Sequence, residues 1–299
     1  MTEPTSAPSR PEPTRWQTGG VEVAYTDTGG DGEALLLMHG GGLADWCTPL
    51  AADPALRRHR VIRMVRAGYT GAQTPGGLTV ADHSEHAAAL LRHLGATPAH
   101  VVAHSAGSTV GLQLTIDHPA LVRTLSLCEP PLVDTLAAPD DRELLRALFA
   151  PAVGTVLAAT VRGDLPAAFD TFMTLVCGAG YRRVITDALG ADAVEEAVHR
   201  CRYFFTDETP AVRAWTVDPA VLARLPQPVL LVQGSASPPL VHRLVTHLAG
   251  LLPHATVATV PGGDHLMPLS RPAELGRLVD DFVSRAGGPA VVEAGQRRP

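Results

Sequence analysis

The 299-residue chain is predicted to be an α/β protein, a mostly parallel sheet with helices on both faces and an inserted all-helical lid. Three observations predict it. Apolar runs of strand length alternate with stretches of helical spacing, and strand–helix–strand order implies crossover connections and hence parallel pairing. The alternation stops between Pro130 and about Asp218, where only helical spacing remains, and then resumes. A content of 45% apolar and 18% charged residues is enough for a sizeable core at this length.

The elements follow in order. Residues 21–26 alternate as an edge strand, and the turn cluster Thr28-Gly29-Gly30-Asp31-Gly32 leads into the apolar run 34–38, a hairpin start. A helical stretch near 46–57, strand 60–65, helix 80–94, strand 99–103, helix 106–118 and strand 123–128 come next. In the interrupted region, 143–150, 165–176 and 193–205 carry apolar residues at helical spacing between Gly and Pro breaks. Strand 228–232, helix 240–252, strand 256–260 and helix 272–284 complete the chain. The expected organisation is therefore a core of 15–130 and 219–286, a cap of 131–218, and disordered tails at 1–14 and 287–299, which are rich in Pro, Ser and Thr or in Gly and Arg.

Composition narrows the chemistry. The chain has no Lys, which excludes Schiff-base and pyridoxal-phosphate chemistry and a P-loop lysine, since each needs a primary amine. It also has no Asn, and so no N-glycosylation acceptor. A net charge of −6 with Arg scattered singly gives no nucleic-acid footprint. Cys47, Cys128, Cys177 and Cys201 have neither CxxC spacing nor paired His ligands, so they read as buried thiols, and neither a metal nor a cofactor is expected. No basic-then-apolar leader is visible, and no apolar run is read as long enough to span a membrane. A cytoplasmic protein without membrane or nucleic-acid partners is the expectation. His83, His86 and His93, on one helix, read as solvated surface.

Three motifs carry the chemistry. Ala103-His104-Ser105-Ala106-Gly107 stands where a strand turns into a helix, the context of a nucleophile elbow. So sharp a turn needs small flanking residues, and it sets Ser105 at a helix start, where free N–H groups favour a developing anion. Upstream, the buried strand Leu35-Leu36-Leu37-Met38 runs into His39-Gly40-Gly41-Gly42, the loop that supplies an oxyanion-hole N–H in such an architecture. Downstream, Pro261-Gly262-Gly263-Asp264-His265 delivers one His to the carboxyl edge of the sheet after the last strand.

In strand order, elbow, glycine loop and terminal His, the chain resembles α/β-hydrolase-fold proteins with a helical cap and a serine nucleophile. The resemblance spans roughly residues 21–285. It implies Ser105 as nucleophile, His265 as general base and then acid, and the N–H groups of Gly41 and Ala106 as the oxyanion hole. One position departs from the pattern. The family's acid usually follows the penultimate strand in a Gly-x-x-Asp turn, but here Gly234-Ser235-Ala236-Ser237 puts Ser237 in its place. Some members, certain dehalogenases among them, draw the acid from the end of the strand after the elbow helix. That makes Glu129, 24 residues past Ser105, the candidate to bond His265 Nδ1. On this reading Ser237→Ala has little effect. The alternative is a Glu129 that only caps the strand or the lid hinge.

The cap contains Tyr203, Phe204 and Trp215, which suit a largely apolar small-molecule substrate, or else form the cap's own core. The function implied is a serine hydrolase cleaving an ester, thioester or lactone through an acyl-enzyme. A non-hydrolytic cyclase, lyase or acyltransferase of the same fold, or a catalytically silent binding protein, are the alternatives. The Ser nucleophile excludes the Asp-ester routes of haloalkane dehalogenases and epoxide hydrolases.

Overall fold

The computed structural model describes residues 12–287. Its eight-stranded sheet comprises β1 (Thr14–Thr18), β2 (Val21–Asp27), β3 (Ala34–Met38), β4 (Arg60–Val65), β5 (Ala99–His104), β6 (Val122–Cys128), β7 (Val229–Gly234) and β8 (Ala255–Val260). The spatial order is β1-β2-β4-β3-β5-β6-β7-β8. The first two strands run antiparallel and the remaining six pair in parallel. Helices α1 (Thr48–Ala51), α2 (Val80–His93) and α3 (Ala106–Asp117) connect the first half. Between β6 and β7 the chain makes α4 (Pro139–Val161), α5 (Leu165–Cys177), α6 (Tyr181–Leu189), α7 (Ala193–Arg200), α8 (Thr209–Ala214) and α9 (Pro219–Leu222). Helices α10 (Pro239–Leu251), α11 (Met267–Ser270) and α12 (Pro272–Gly287) finish the fold.

Period-two alternation sorts the strand side chains into two apolar layers. Leu36 and Met38 of β3, Val101 and Ala103 of β5, and Val229 and Leu231 of β7 join the layer beneath α2, α3 and α10. Leu35, Leu37, Val102, Leu230 and Val232 face the other way, against α12 and the inserted helices. Because both faces are covered, β3 is apolar at every position. Local signals start the helices. Thr79 caps α2 with a reciprocal box, accepting from Asp82 N at 3.1 Å while its own N–H donates to the Asp82 carboxylate at 2.8 Å. The Asp164 carboxylate caps α5 by accepting from Ala167 N at 3.1 Å.

Several expectations need correction. The edge strand is β1 and not β2, so Thr14, assigned to the tail, begins the sheet, and Gly287 ends α12. The rest of the two expected tails, apart from Glu12 and Pro13, lies outside the described residues. The stretch 46–57 holds only the one-turn α1 and a short 3₁₀ turn at Pro54–Leu56. Helix α4 runs on through Pro151, where the sequence reading ended a helix at Ala150, and the whole of Pro139–Val161 is long and apolar enough by length and composition alone to cross a membrane. Leu145, Val156, Ala159 and Thr160 of α4 pack inward, while Leu144, Leu148, Leu157 and Val161 are exposed. His83 and His86 are buried, because α2 turns them toward the insertion and the β1–β2 turn, where His83 Nε2 meets Tyr203 Oη at 2.8 Å and His86 packs on Gly19. His93 is exposed and stacks on Trp16.

Candidate active site

Ser105 sits between β5 and α3 with φ +50° and ψ −127°. Its N–H donates to the Cys128 carbonyl at 3.0 Å, so β6 holds the strained turn from one side. The small residues around it are demanded by space. A Cβ on Gly107 would fall 2.4 Å from the His39 carbonyl oxygen, and one on Gly111 would fall 3.0 Å from Ala103 Cβ. Helix α3 thus lies directly on β3 and β5, and Ala106, its first residue, offers one of the N–H groups that no helical turn can satisfy.

Glu129 follows β6 with φ +43°, its N–H bound to the Val232 carbonyl at 2.9 Å. The side chain is almost fully buried, and its Oε2 accepts from His265 Nδ1 at 2.9 Å. On the other side of the ring, His265 Nε2 lies 3.0 Å from Ser105 Oγ. With Nδ1–H committed to a carboxylate, Nε2 presents a lone pair to the hydroxyl. The Glu129 Oε1 accepts from Gly234 N at 2.9 Å and from the Ser237 hydroxyl. Burial alone would raise the Glu129 pKa. The bonds from His265, Ser237 and Gly234 outweigh it and hold the carboxyl below its ordinary range.

Two interlocked turns position these groups. A Cβ on Gly234 would lie 2.1 Å from the Gly263 carbonyl oxygen, and Ala236 N donates to that same oxygen at 2.9 Å. The turn after β7 therefore buttresses the turn that carries His265. Ser237 is corrected accordingly: it is 6% exposed and hydrogen-bonded to Glu129, where the sequence reading gave it no part. Asp264 is turned away, its carboxylate accepting from Leu266 N at 2.9 Å.

The glycine loop is pinned peptide by peptide. The His39 imidazole accepts from Arg66 N at 3.1 Å through Nε2, which leaves Nδ1–H to donate to the Gly40 carbonyl at 2.7 Å. Burial and the neighbouring Arg66 charge keep that imidazole neutral, far below its usual pKa. Trp46 Nε1 donates to the Gly41 carbonyl at 2.9 Å, and Gly42 N donates to the Tyr69 hydroxyl at 3.0 Å. His104, beside the elbow serine, lies 4.7 Å from the His265 ring and donates from Nε2 to the His265 carbonyl at 3.0 Å. Burial first, and the adjoining His265 second, hold His104 well below its ordinary pKa.

Of the three residues expected to bind substrate, Phe204 comes to the loop, its ring so close that a Cβ on Gly41 would fall 2.2 Å from it. Tyr203 packs one step further out, over Gly68, with its hydroxyl on His83. Trp215 does not join them. It sits in the opposite apolar layer with Nε1 donating to Gln113 at 2.7 Å, about 12 Å along α3 from Ser105 at the helical rise, because α8 ends there and the chain is already returning to the sheet. Sequence reasoning also passed over Trp46, Arg66, Tyr69 and Glu208. The available signal was Arg63 and Arg66 interrupting an otherwise apolar run, since charges so placed must find buried partners.

Comparison with known proteins agrees with this fold. The profile of the alpha/beta hydrolase family matches residues 35–278. The Magnesium-chelatase 30 kDa subunit of Rhodobacter capsulatus is 27% identical over 93% of this chain and 96% of its own length. RutD of Variovorax paradoxus, described as a carbamate hydrolase, is 29% identical over 87% of this chain and 95% of its own. Among solved structures, an enol-lactonase from Burkholderia xenovorans LB400 superposes with a TM-score of 0.73 at 17% identity, covering 91% of this chain and all of that one, which shows the shared fold. The chain therefore belongs to the alpha/beta hydrolase family and is an enzyme of the hydrolase type.

Proposed function

We propose that the protein is a serine hydrolase that cleaves an ester, thioester or lactone bond of a largely apolar small molecule, with residues 131–218 acting as its cap. The observation that carries this reading is the unbroken hydrogen-bonded chain from Ser105 Oγ through His265 to Glu129. In the mechanism, Ser105 Oγ attacks the carbonyl carbon while its proton passes to His265 Nε2. The imidazolium so formed is stabilised through Nδ1 by the ionised Glu129. The carbonyl π electrons move onto oxygen, and that oxyanion takes hydrogen bonds from Gly41 N–H and Ala106 N–H. Collapse expels the alcohol, thiol or ring oxygen, which takes the proton from His265, and leaves acyl-Ser105. Water, deprotonated by the same imidazole, then releases the acid.

The apolar preference is supported by the aromatic group next to the loop. Phe172 lies 4.8 Å from Phe204 and 5.9 Å from Phe205 between ring centroids. The test is labelling with a fluorophosphonate together with turnover of a short aryl ester. Both should occur in the wild-type chain, and both should vanish in Ser105→Ala, whose melting temperature should be preserved. Turnover retained by the purified variant would defeat the reading.

A further inference from the structure

A second buried polar group of side chains lies under the insertion and reaches the glycine loop. Arg66 is fully buried just past β4, and its Nη1 stands 2.6 Å from Oε1 of Glu208, which is 2% exposed on the π-helical turn Phe204–Glu208. Neither charge is tolerable there without the other. The Arg66 Nη2 is turned toward the loop, 3.3 Å from the His39 carbonyl oxygen and 3.4 Å from that of Gly40. The Tyr69 hydroxyl donates to Oε2 of Glu208 and accepts from Gly42 N–H. The Gly40 carbonyl shares one planar unit with the Gly41 N–H, so a cation on the oxygen fixes the direction of that N–H and strengthens it as a donor.

We propose that Glu208 is a positioning residue which, through Arg66 and Tyr69, holds the Gly40–Gly41 and Gly41–Gly42 peptide units in the orientation that binds an oxyanion. The oxyanion hole is then assembled only while the Phe204–Glu208 turn is seated on the core. The proposal rests on the serine-hydrolase reading. Phe204, on the same turn, packs against Gly41, so one segment of the cap both walls the site and sets its donor.

The test uses two variants of the full chain, because Glu208→Gln alone would strand the Arg66 charge and endanger folding. Tyr69→Phe removes only the hydroxyl. It should lower kcat on a short aryl ester at least tenfold with KM within about twofold, and it should speed exchange of the Gly42 amide, read in ¹⁵N-glycine spectra, at least tenfold. The double variant Arg66→Met with Glu208→Leu replaces the ion pair by apolar side chains. It should fold, lose kcat to a similar degree and label more slowly with fluorophosphonate. Variants that melt earlier but keep kcat and the Gly42 exchange rate would mean that the group only stabilises the fold, and the proposal would be overturned. A wild-type chain that turns over no aryl ester would defeat the hydrolase reading instead. The exchange rates would still decide the coupling, and unchanged rates would overturn it.

Discussion

Ser105 and Glu129 are the two non-glycine residues with positive φ among the described residues, at 50° and 43°. Backbone in that region costs about 1–3 kcal/mol per residue and persists only where surrounding structure enforces it. Here each is held by a backbone bond to a neighbouring strand, Ser105 to β6 and Glu129 to β7. The strain therefore coincides with the two ends of the hydrogen-bonded chain through His265. Glu129→Gln should cut kcat on an aryl ester by about 10⁴, the cost of the corresponding amide substitution in a serine protease. Ser237→Ala removes one hydroxyl from the same carboxylate. A bond to a charged group contributes about 1.5–3 kcal/mol, so a kcat loss of about ten- to a hundredfold is expected in the same assay. Trp215→Phe should leave KM unchanged, because the indole bonds Gln113 in the far layer. Urea unfolding should show a loss of about 1 kcal/mol.

Elements were legible wherever packing imposes a period. Strands β3 to β7 were readable because both faces of the sheet are covered and the runs are continuously or alternately apolar, and β8, a largely exposed edge strand, was readable from its run of β-branched residues. Strand β1 was missed because an edge strand covered by little more than the His93 ring on Trp16 carries polar residues, and Thr14-Arg15-Trp16-Gln17-Thr18 is mostly exposed beside a Pro-rich stretch. The helix read at 193–205 ends instead at Arg200, with a turn at Cys201, and beyond it the widened π turn at Phe204–Glu208 adds a residue, which shifts the side-chain phase by about 100°. The elbow, the glycine loop and His265 were readable from motifs. The Ser237 hydroxyl and the Arg66–Glu208 pair were not, since each joins segments more than a hundred residues apart, and an Arg in an apolar run marks one partner without naming the other. Packing at the elbow yields its own prediction. In Gly107→Ala the new methyl meets the backbone oxygen of His39, which cannot rotate aside. The variant should lose about 1–3 kcal/mol of stability in urea titration. An unchanged midpoint would contradict the close approach of α3 to β3.

At the scale of the whole molecule, the buried imidazoles make stability depend on pH. His39, His83 and His104 are all held far below the ordinary value of 6.5, in each case first by burial. A histidine with a depressed folded pKa binds more protons when unfolded, so its contribution is complete above 6.5 and is lost as pH falls below it. Each group should cost about 1.4 kcal/mol per pH unit in that range. Unfolding free energy should therefore drop steeply between pH 6.5 and 5.5, and His83→Gln should flatten the slope. Glu129 acts later: its depressed carboxyl favours the folded state above about 4.5, a contribution lost only as pH falls further. The central claim, that Ser105 carries the acyl group, is tested most directly by trapping. Wild-type protein mixed with an aryl ester and acid-quenched within milliseconds should show a phenolate burst approaching one per chain, with an acyl mass increment on the peptide containing Ser105. Turnover without a burst or adduct, or an adduct on any other side chain, would contradict it.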